Sequence, residues 1–207
     1  MKKAIALYSG GMDSALAVQK MKSDYQIIGA FFNVGQPGVD YQLASARRLA
    51  TWQDIHLEVF DLSSLKNNFL GLADKNQISM SVGNTINCPF GIFGLASTYA
   101  ISRRANALVA GVHKDDLTVS QHAGQFLKNV AEDASKLHNI EFEMCLPFLN
   151  TSKADVIRYG IEINFPLGYT RSCSESNEHH CGSCDECKKR KIAFSTAGVN
   201  DPTQYAE

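Results

Sequence analysis

The chain has 207 residues, of which 44% are hydrophobic and 20% charged, and its formal net charge is -1. This length allows one sizeable core, or one domain with a small appendage. The charge provides no global basic field for nucleic acid, and no apolar run approaches the roughly 18 residues of a membrane span. The N-terminus runs directly into a predicted strand, so we expect no signal peptide. We therefore expect a cytoplasmic enzyme with no nucleic-acid or membrane partner.

A glycine-rich turn follows the first apolar stretch. Ala4–Leu7 predicts a buried strand, Ala15–Val18 predicts a helix, and Ser9-Gly10-Gly11-Met12-Asp13-Ser14 lies between them. This layout directs backbone N–H groups at an anion, and the helix dipole adds partial positive charge. Because the loop contains no lysine, it is not a Walker sequence. We predict a phosphate site in which Asp13 caps the helix or holds Mg²⁺.

Strands and helices alternate along the rest of the chain. Strands are predicted over 25–32, 56–61, 107–112 and 141–145, and helices over 41–52, 90–104, about 124–138 and 153–159, the last ended by Gly160. The polar stretch 62–87 is predicted to be a loop across the site. The alternation predicts an α/β fold, a parallel sheet with helices on both faces, whose ligands bind at the carboxyl ends of the strands. We assign this domain to residues 1–168.

Cysteines are concentrated near the C-terminus. The four that lie within fifteen residues are Cys173, Cys181, Cys184 and Cys187. Each Cys-x-x-Cys pair places two sulfurs on one turn, and four thiolates leave no open position on a metal, as in structural Zn²⁺ sites. Disulfides and an iron–sulfur cluster are the alternatives, and His179 or His180 could replace one thiolate. Residues 169–207 are thus predicted to form a small zinc module packed on the first domain.

The two motifs together resemble those of the 7-cyano-7-deazaguanine synthase (QueC) family. Ser9–Ser14 is similar to the PP-loop of the ATP pyrophosphatases, and Ser172–Cys187, with Arg190 beyond it, is similar to the family's C-terminal pattern. The likeness extends to Gly35-Gln36, Gly111-Val112 with Asp115 or Asp116, and Pro147 with Lys153. The resemblance implies a Rossmann-like fold of the adenine nucleotide alpha hydrolase type and a homodimer.

The resemblance also implies a reaction. The carboxylate of 7-carboxy-7-deazaguanine attacks the α-phosphate of ATP, ammonia converts the acyl-adenylate to an amide, and a second activation yields the nitrile. Asp13 and Lys153 would be the catalytic residues, with Lys153 meeting the α-phosphate and Mg²⁺ accompanying ATP. The implied ATP-binding residues are Leu7, Tyr8, Ser9, Gly10, Gly11, Met12, Asp13, Ser14 and Ala15.

The chain departs from the family pattern at three places. Pro89–Ile92 replaces Pro-Gly-Arg-Asn, Pro37-Gly38 replaces basic residues, and Thr118–His122 replaces a Tyr-Pro-Asp-Cys stretch. Losing an arginine removes a bidentate partner for a carboxylate. The departures favour a paralogue acting on a related or different acid, for which Gln36, Lys114 and His122 are the candidate contacts.

Two other classes of function remain open. The first is a PP-loop sulfur transferase acting on tRNA, with Cys88 at a predicted helix start as the reactive thiol. The second is a nucleotide-binding protein without catalysis, which the intact phosphate loop disfavours.

Overall fold

Residues 1–67, 90–118 and 123–206 are described by a computed structural model. Within these ranges five strands form one parallel sheet: β1 (Lys2–Leu7), β2 (Tyr25–Asn33), β3 (His56–Asp61), β4 (Ala107–Val109) and β5 (Glu143–Cys145). The helices are α1 (Met12–Met21), α2 (Val39–Trp52), α3 (Phe90–Ser102), α4 (Ala123–His138), α5 (Lys153–Glu162) and α6 (Asp185–Ala197). The predicted α/β fold is confirmed.

The central strands β1, β2 and β4 are largely buried on both faces, as their nearly continuous apolar sequences require. Along β1, Ala4 and Ala6 belong to a core formed with α1, α2, α5 and α6, whereas Ile5 belongs to a second core formed with α3 and α4. Alternate side chains of a strand point to opposite faces, so helices cover both sides of the central strand.

The strand order β3-β2-β1-β4-β5 places β1 and β4 side by side at the point where the direction of winding reverses. Loops that leave two such strands diverge and open a crevice at the carboxyl edge of the sheet. The turn that follows β1 is the predicted phosphate loop, so the topology places this loop beside the crevice.

Several predicted boundaries differ from the observed ones. The strands β4 and β5 have only three residues each, and α2 begins at Val39. The prediction that Gly160 ends its helix is wrong, because α5 continues to Glu162. A Cβ at Gly160 would lie 3.2 Å from methyl groups of Leu16 and Leu167. This glycine therefore allows close packing between α5 and α1. Most of the predicted loop 62–87, together with Cys88, lies outside the described residues.

The C-terminal residues pack against the rest of the chain. Phe194 of α6 belongs to the same core as α1 and α5. Arg190, which is fully buried, donates to the Asp201 carboxylate, the Thr170 hydroxyl and the Leu167 carbonyl. One buried cation thus connects α6 to the segments on either side of it.

In the described ranges, no helix is long and apolar enough to span a membrane.

Candidate active site

The phosphate loop connects β1 to α1. Gly10 has φ +78°, and a Cβ there would lie 2.8 Å from the backbone nitrogen of Ala46, so only glycine fits. Gly11 precedes the first helical residue, and the Ser14 hydroxyl donates to its carbonyl at 3.1 Å. The Ser9 and Ser14 hydroxyls lie 3.2 Å apart. Because the first N–H groups of a helix have no intrahelical acceptor, the loop presents donors suited to phosphate oxygens.

A second glycine fixes the other side of the crevice. A Cβ at Gly111, just beyond β4, would lie 2.5 Å from the Asp13 carbonyl oxygen and from the Ser14 nitrogen. Real Cβ atoms do not approach that closely, so the chain after β4 rests directly on the start of α1. Backbone packing therefore requires glycine at position 111, the first residue of the Gly-Val segment noted in the sequence.

Four charged or titratable side chains meet beside the loop. The Lys153 ammonium at the start of α5 lies 2.9 Å from Asp13 Oδ2. His113 Nε2 lies 3.9 Å from Asp13 Oδ1 and 3.5 Å from Asp116 Oδ1. The backbone N–H of His113 also donates to Asp116 Oδ2 at 3.0 Å. These residues follow β1, β4 and β5, so the parallel sheet brings three distant segments together.

Burial and ion pairing act in opposite directions on these groups. Burial raises the pKa of the Asp13 carboxyl, but Lys153 and His113 outweigh it and the pKa lies below its ordinary value. Burial lowers the pKa of Lys153, but Asp13 outweighs it and that pKa is raised. For Asp116, burial dominates and raises the pKa. At neutral pH the Asp13–Lys153 pair is therefore charged, and the lysine is a fixed cation beside the phosphate loop.

A cavity of about 280 Å³ opens at this edge of the sheet. The predicted ATP-binding residues that line it are Leu7, Tyr8, Ser9, Gly11, Met12, Asp13 and Ser14, and Lys153 lines it too. Gly10 and Ala15 are buried and do not line it. The strand ends contribute Phe31 and Phe32, and α3 contributes Phe93. One part of the cavity thus suits phosphate, and another suits a flat apolar ring.

The predicted substrate contacts have different positions. Gln36 lines the cavity, and its amide nitrogen donates to Gln42 at 3.0 Å. Lys114 is exposed and does not line the cavity. His122 lies outside the described residues. Arg171 also lines the cavity, although it was not among the predicted site residues. Its only signal in the sequence is its position directly before Ser172-Cys173.

The four C-terminal cysteines form one cluster. Their sulfur atoms all lie within 4.8 Å of one another, and all four are free thiols. Cys173 Sγ accepts N–H groups from Glu175 and Cys181, and Cys181 Sγ accepts the N–H of Cys184 at 3.2 Å. At Cys181 such backbone donors outweigh burial and lower the pKa to about 6. Four sulfur atoms this close together match the ligand set of a tetrahedral metal site, so the cluster could hold zinc.

Known proteins are similar to this chain over nearly its whole length. Residues 3–198 match the family described as "Queuosine biosynthesis protein QueC". The chain belongs to the QueC family. Its relatives include the 7-cyano-7-deazaguanine synthase of Campylobacter curvus, 32% identical over 100% of this chain and 99% of the relative. Another is the synthase of Methanosphaera stadtmanae, 29% identical over 98% of both chains. QueC-type synthases are ATP-dependent ligases, so the chain is an enzyme of this kind.

Solved structures support the fold of this QueC family member. An NMN synthetase from Francisella tularensis superimposes with a TM-score of 0.58 at 14% identity, covering 96% of this chain and 78% of that chain. The NH3-dependent NAD synthetase of Campylobacter jejuni gives 0.51 at 16% identity, covering 81% and 66%. At such identities the likeness shows the fold alone, which is a parallel sheet with helices on both faces.

Proposed function

We propose that this chain is an ATP-dependent carbon–nitrogen ligase that adenylates 7-carboxy-7-deazaguanine or a related acid. Ammonia then displaces AMP to give the amide. A second ATP activates the amide oxygen, which leaves with AMP to give the nitrile. The observation that carries the proposal is the Asp13–Lys153 ion pair in the cavity beside an intact phosphate loop. The relatives named 7-cyano-7-deazaguanine synthase support it, because they match the chain over nearly its full length.

Each part of the cavity has a role in this reaction. The phosphate loop binds the pyrophosphate that leaves, through its backbone N–H groups and the Ser9 and Ser14 hydroxyls. Lys153, oriented by Asp13, meets the α-phosphate and stabilises the negative charge that develops when the carboxylate attacks. A carboxylate is a poor electrophile, so its activation as an acyl-adenylate supplies the leaving group that ammonia displaces. Catalysis then rests on orientation and charge neutralisation.

Asp13 also fits the role of a Mg²⁺ ligand. Its Oδ1 is buried and has no hydrogen-bond partner within the described ranges, so one carboxylate oxygen remains for a cation. Mg²⁺ prefers carboxylate and phosphate oxygens, and when bound it supplies further neutralisation of phosphate charge.

The substrate ring is assigned to the apolar part of the cavity, near Phe31, Phe32 and Phe93. Gln36 is the proposed polar contact, since it lies there with its side chain already oriented. Contacts by Lys114 and His122 stay predictions. We also propose structural zinc in the four-cysteine cluster, the division into residues 1–168 and 169–207, and a homodimer.

Incubation with ATP, Mg²⁺, ammonium and 7-carboxy-7-deazaguanine tests the proposal. We expect AMP and pyrophosphate in amounts that depend on the acid, and a nitrile product detected by mass spectrometry. A parallel exchange assay between ATP and labelled pyrophosphate, without ammonium, reports adenylation alone. Absence of acid-dependent exchange with every deazapurine acid would overturn the proposal. Exchange without nitrile would restrict the product to an amide.

A further inference from the structure

Arg171 is a buried cation that the reaction described above does not use. Its residue is 6% exposed, and its guanidinium lies 4.9 Å from the centre of the Tyr41 ring. The guanidinium donates to the backbone carbonyls of Glu175, Asn177 and Glu178 at 2.9, 2.6 and 2.8 Å. A planar donor group that binds three carbonyls of one segment constrains the path of that segment.

The three carbonyls belong to the segment between the first two cysteines, Ser174–Glu178, which we call the inter-cysteine loop. This loop contacts the turn that follows β2. The N–H of Gly38 donates to the Ser176 hydroxyl at 2.9 Å. Gly38 has φ +70°, and a Cβ there would lie 2.7 Å from the Glu175 carbonyl oxygen. The loop and the turn are therefore in direct backbone contact.

The backbone of Arg171 contacts the phosphate loop. Its N–H donates to the Gly10 carbonyl at 2.9 Å, and a Cβ at Gly11 would lie 3.6 Å from its carbonyl oxygen. Ser172 and Ser174, the neighbours of Cys173, line the same cavity as the phosphate loop. One residue thus contacts the phosphate loop with its backbone and the inter-cysteine loop with its side chain.

We propose that Arg171 is a positioning residue that holds the inter-cysteine loop against the phosphate loop and thereby sets the affinity of the cavity for ATP. The proposal rests on ATP binding in the proposed function. It does not depend on which acid is the substrate, because ATP binding is measured without the acid.

The fold should survive loss of the side chain. Asn177 and Glu178 are exposed, so water can reach their carbonyl groups when the guanidinium is removed. The main-chain bond to Gly10 does not require the side chain. Removal should therefore free the inter-cysteine loop without unfolding the cysteine cluster.

The test compares Arg171→Met and Arg171→Lys with the wild type, using the full chain purified with its metal. Binding of MgATP is measured by calorimetry. We expect Arg171→Met to weaken binding about 10-fold, as the loss of hydrogen bonds to a charged group implies. The MgATP affinity of Arg171→Lys should lie between those of the wild type and Arg171→Met, because lysine keeps the charge but not the planar donors. Arg48→Met is the matched control, since Arg48 is an exposed guanidinium over Tyr169 that does not line this cavity.

Two further measurements separate positioning from general stability. Metal content should remain that of the wild type in Arg171→Met, and hydrogen exchange should accelerate in the inter-cysteine loop but not in α1. Equal ATP affinity in wild type and Arg171→Met would overturn the proposal, as would weaker binding accompanied by loss of metal. If Arg171→Met does not fold, Ser176→Ala disturbs the same loop through its bond to Gly38 and should weaken MgATP binding about 2-fold; unchanged affinity would then overturn the proposal.

Turnover assays distinguish this inference from the proposed function. Where the wild type turns over, Arg171→Met should show a raised KM for ATP and a kcat within about 3-fold of the wild type, because only ATP binding is weakened. A fall of kcat as large as the rise in the KM for ATP would contradict the positioning role. Failure of the wild type to adenylate any deazapurine acid would remove the proposed function but leave the MgATP comparison intact.

Discussion

The phosphate loop and the segment that contains the four cysteines, residues 171–187, form two walls of one cavity. We call the second the cysteine segment. Different interactions determine the two structures. The phosphate loop is determined by backbone contacts at Gly10 and Gly111, which leave no space for a side chain. The cysteine segment is determined by buried cations, Arg171 and Arg190, and by four thiols within 4.8 Å. Steric contacts need no ligand, whereas clustered thiolates repel one another until a metal neutralises them. The first wall should therefore be preformed, and the second should depend on the proposed zinc.

Removal of the proposed zinc should have the largest effect on the difference in stability between the two walls. We expect a strong chelator to release about one zinc per chain. The melting temperature should then fall by at least about 10 °C, equivalent to roughly 3 kcal/mol for a chain of this size. Metal analysis and calorimetry provide the measurements, with added zinc as the reversal control. Hydrogen exchange should increase around Cys173 and Cys187 more than in α1. A uniform increase over both regions would show that the two walls are not independent.

Lys153→Met tests the charge of the phosphate wall. Loss of the cation should lower kcat/KM for the ATP-dependent reaction by at least about 100-fold, the range seen when a preorganised electrostatic group is removed. The Asp13 carboxylate would also lose its ion-pair partner. The matched control is Lys136→Met, since Lys136 is an exposed lysine on α4 paired with Glu132. Equal activities of the two variants would contradict the role of Lys153.

Gly111→Ala tests the steric description of the same wall. The new methyl group would overlap the backbone of Asp13 and Ser14, and overpacking of this kind costs about 1–3 kcal/mol. We expect a lower melting temperature and loss of MgATP binding. Gly94→Ala in α3 is the control, because no atom of the described residues lies within 4 Å of its Cβ position and alanine favours a helix. Gly94→Ala should be neutral or slightly stabilising, and similar losses in both variants would refute a specific contact at Gly111.

Asp116→Asn should give the smallest effect and a pH signature. The folded-state pKa of Asp116 is above its usual 3.8, so its ionisation costs folding free energy as the pH rises through that range. The neutral asparagine removes this cost. We expect a melting temperature about 2 °C higher than wild type at pH 7, and no difference at pH 3. Asp133→Asn, an exposed carboxylate on α4, should show no gain. A destabilised Asp116→Asn at pH 7 would contradict the pKa direction.

Features encoded by local patterns were predicted well. β3 has its predicted bounds, and the α/β fold is confirmed. The glycine turn lies between β1 and α1 as predicted, since its residues are adjacent in the chain. The proximity of the four cysteines followed from the short spacing of the two Cys-x-x-Cys pairs.

Features that depend on distant segments were missed or misassigned. Gly160 was predicted to end a helix, because its propensity is visible in the sequence while its contacts with Leu16 and Leu167 are not. Arg171 carries no motif, and its importance appears only when the inter-cysteine loop meets the turn at Gly38.

The sequence by itself determined the parallel α/β fold, the phosphate loop and the cysteine cluster, because each depends on residues that are neighbours in the chain. The tertiary structure decided which charges meet. It paired Lys153 with Asp13 across 140 positions and placed the backbone of Arg171 against the phosphate loop. Such contacts arise because parallel strands deliver the loops that follow them to one edge of the sheet, whatever their separation in sequence.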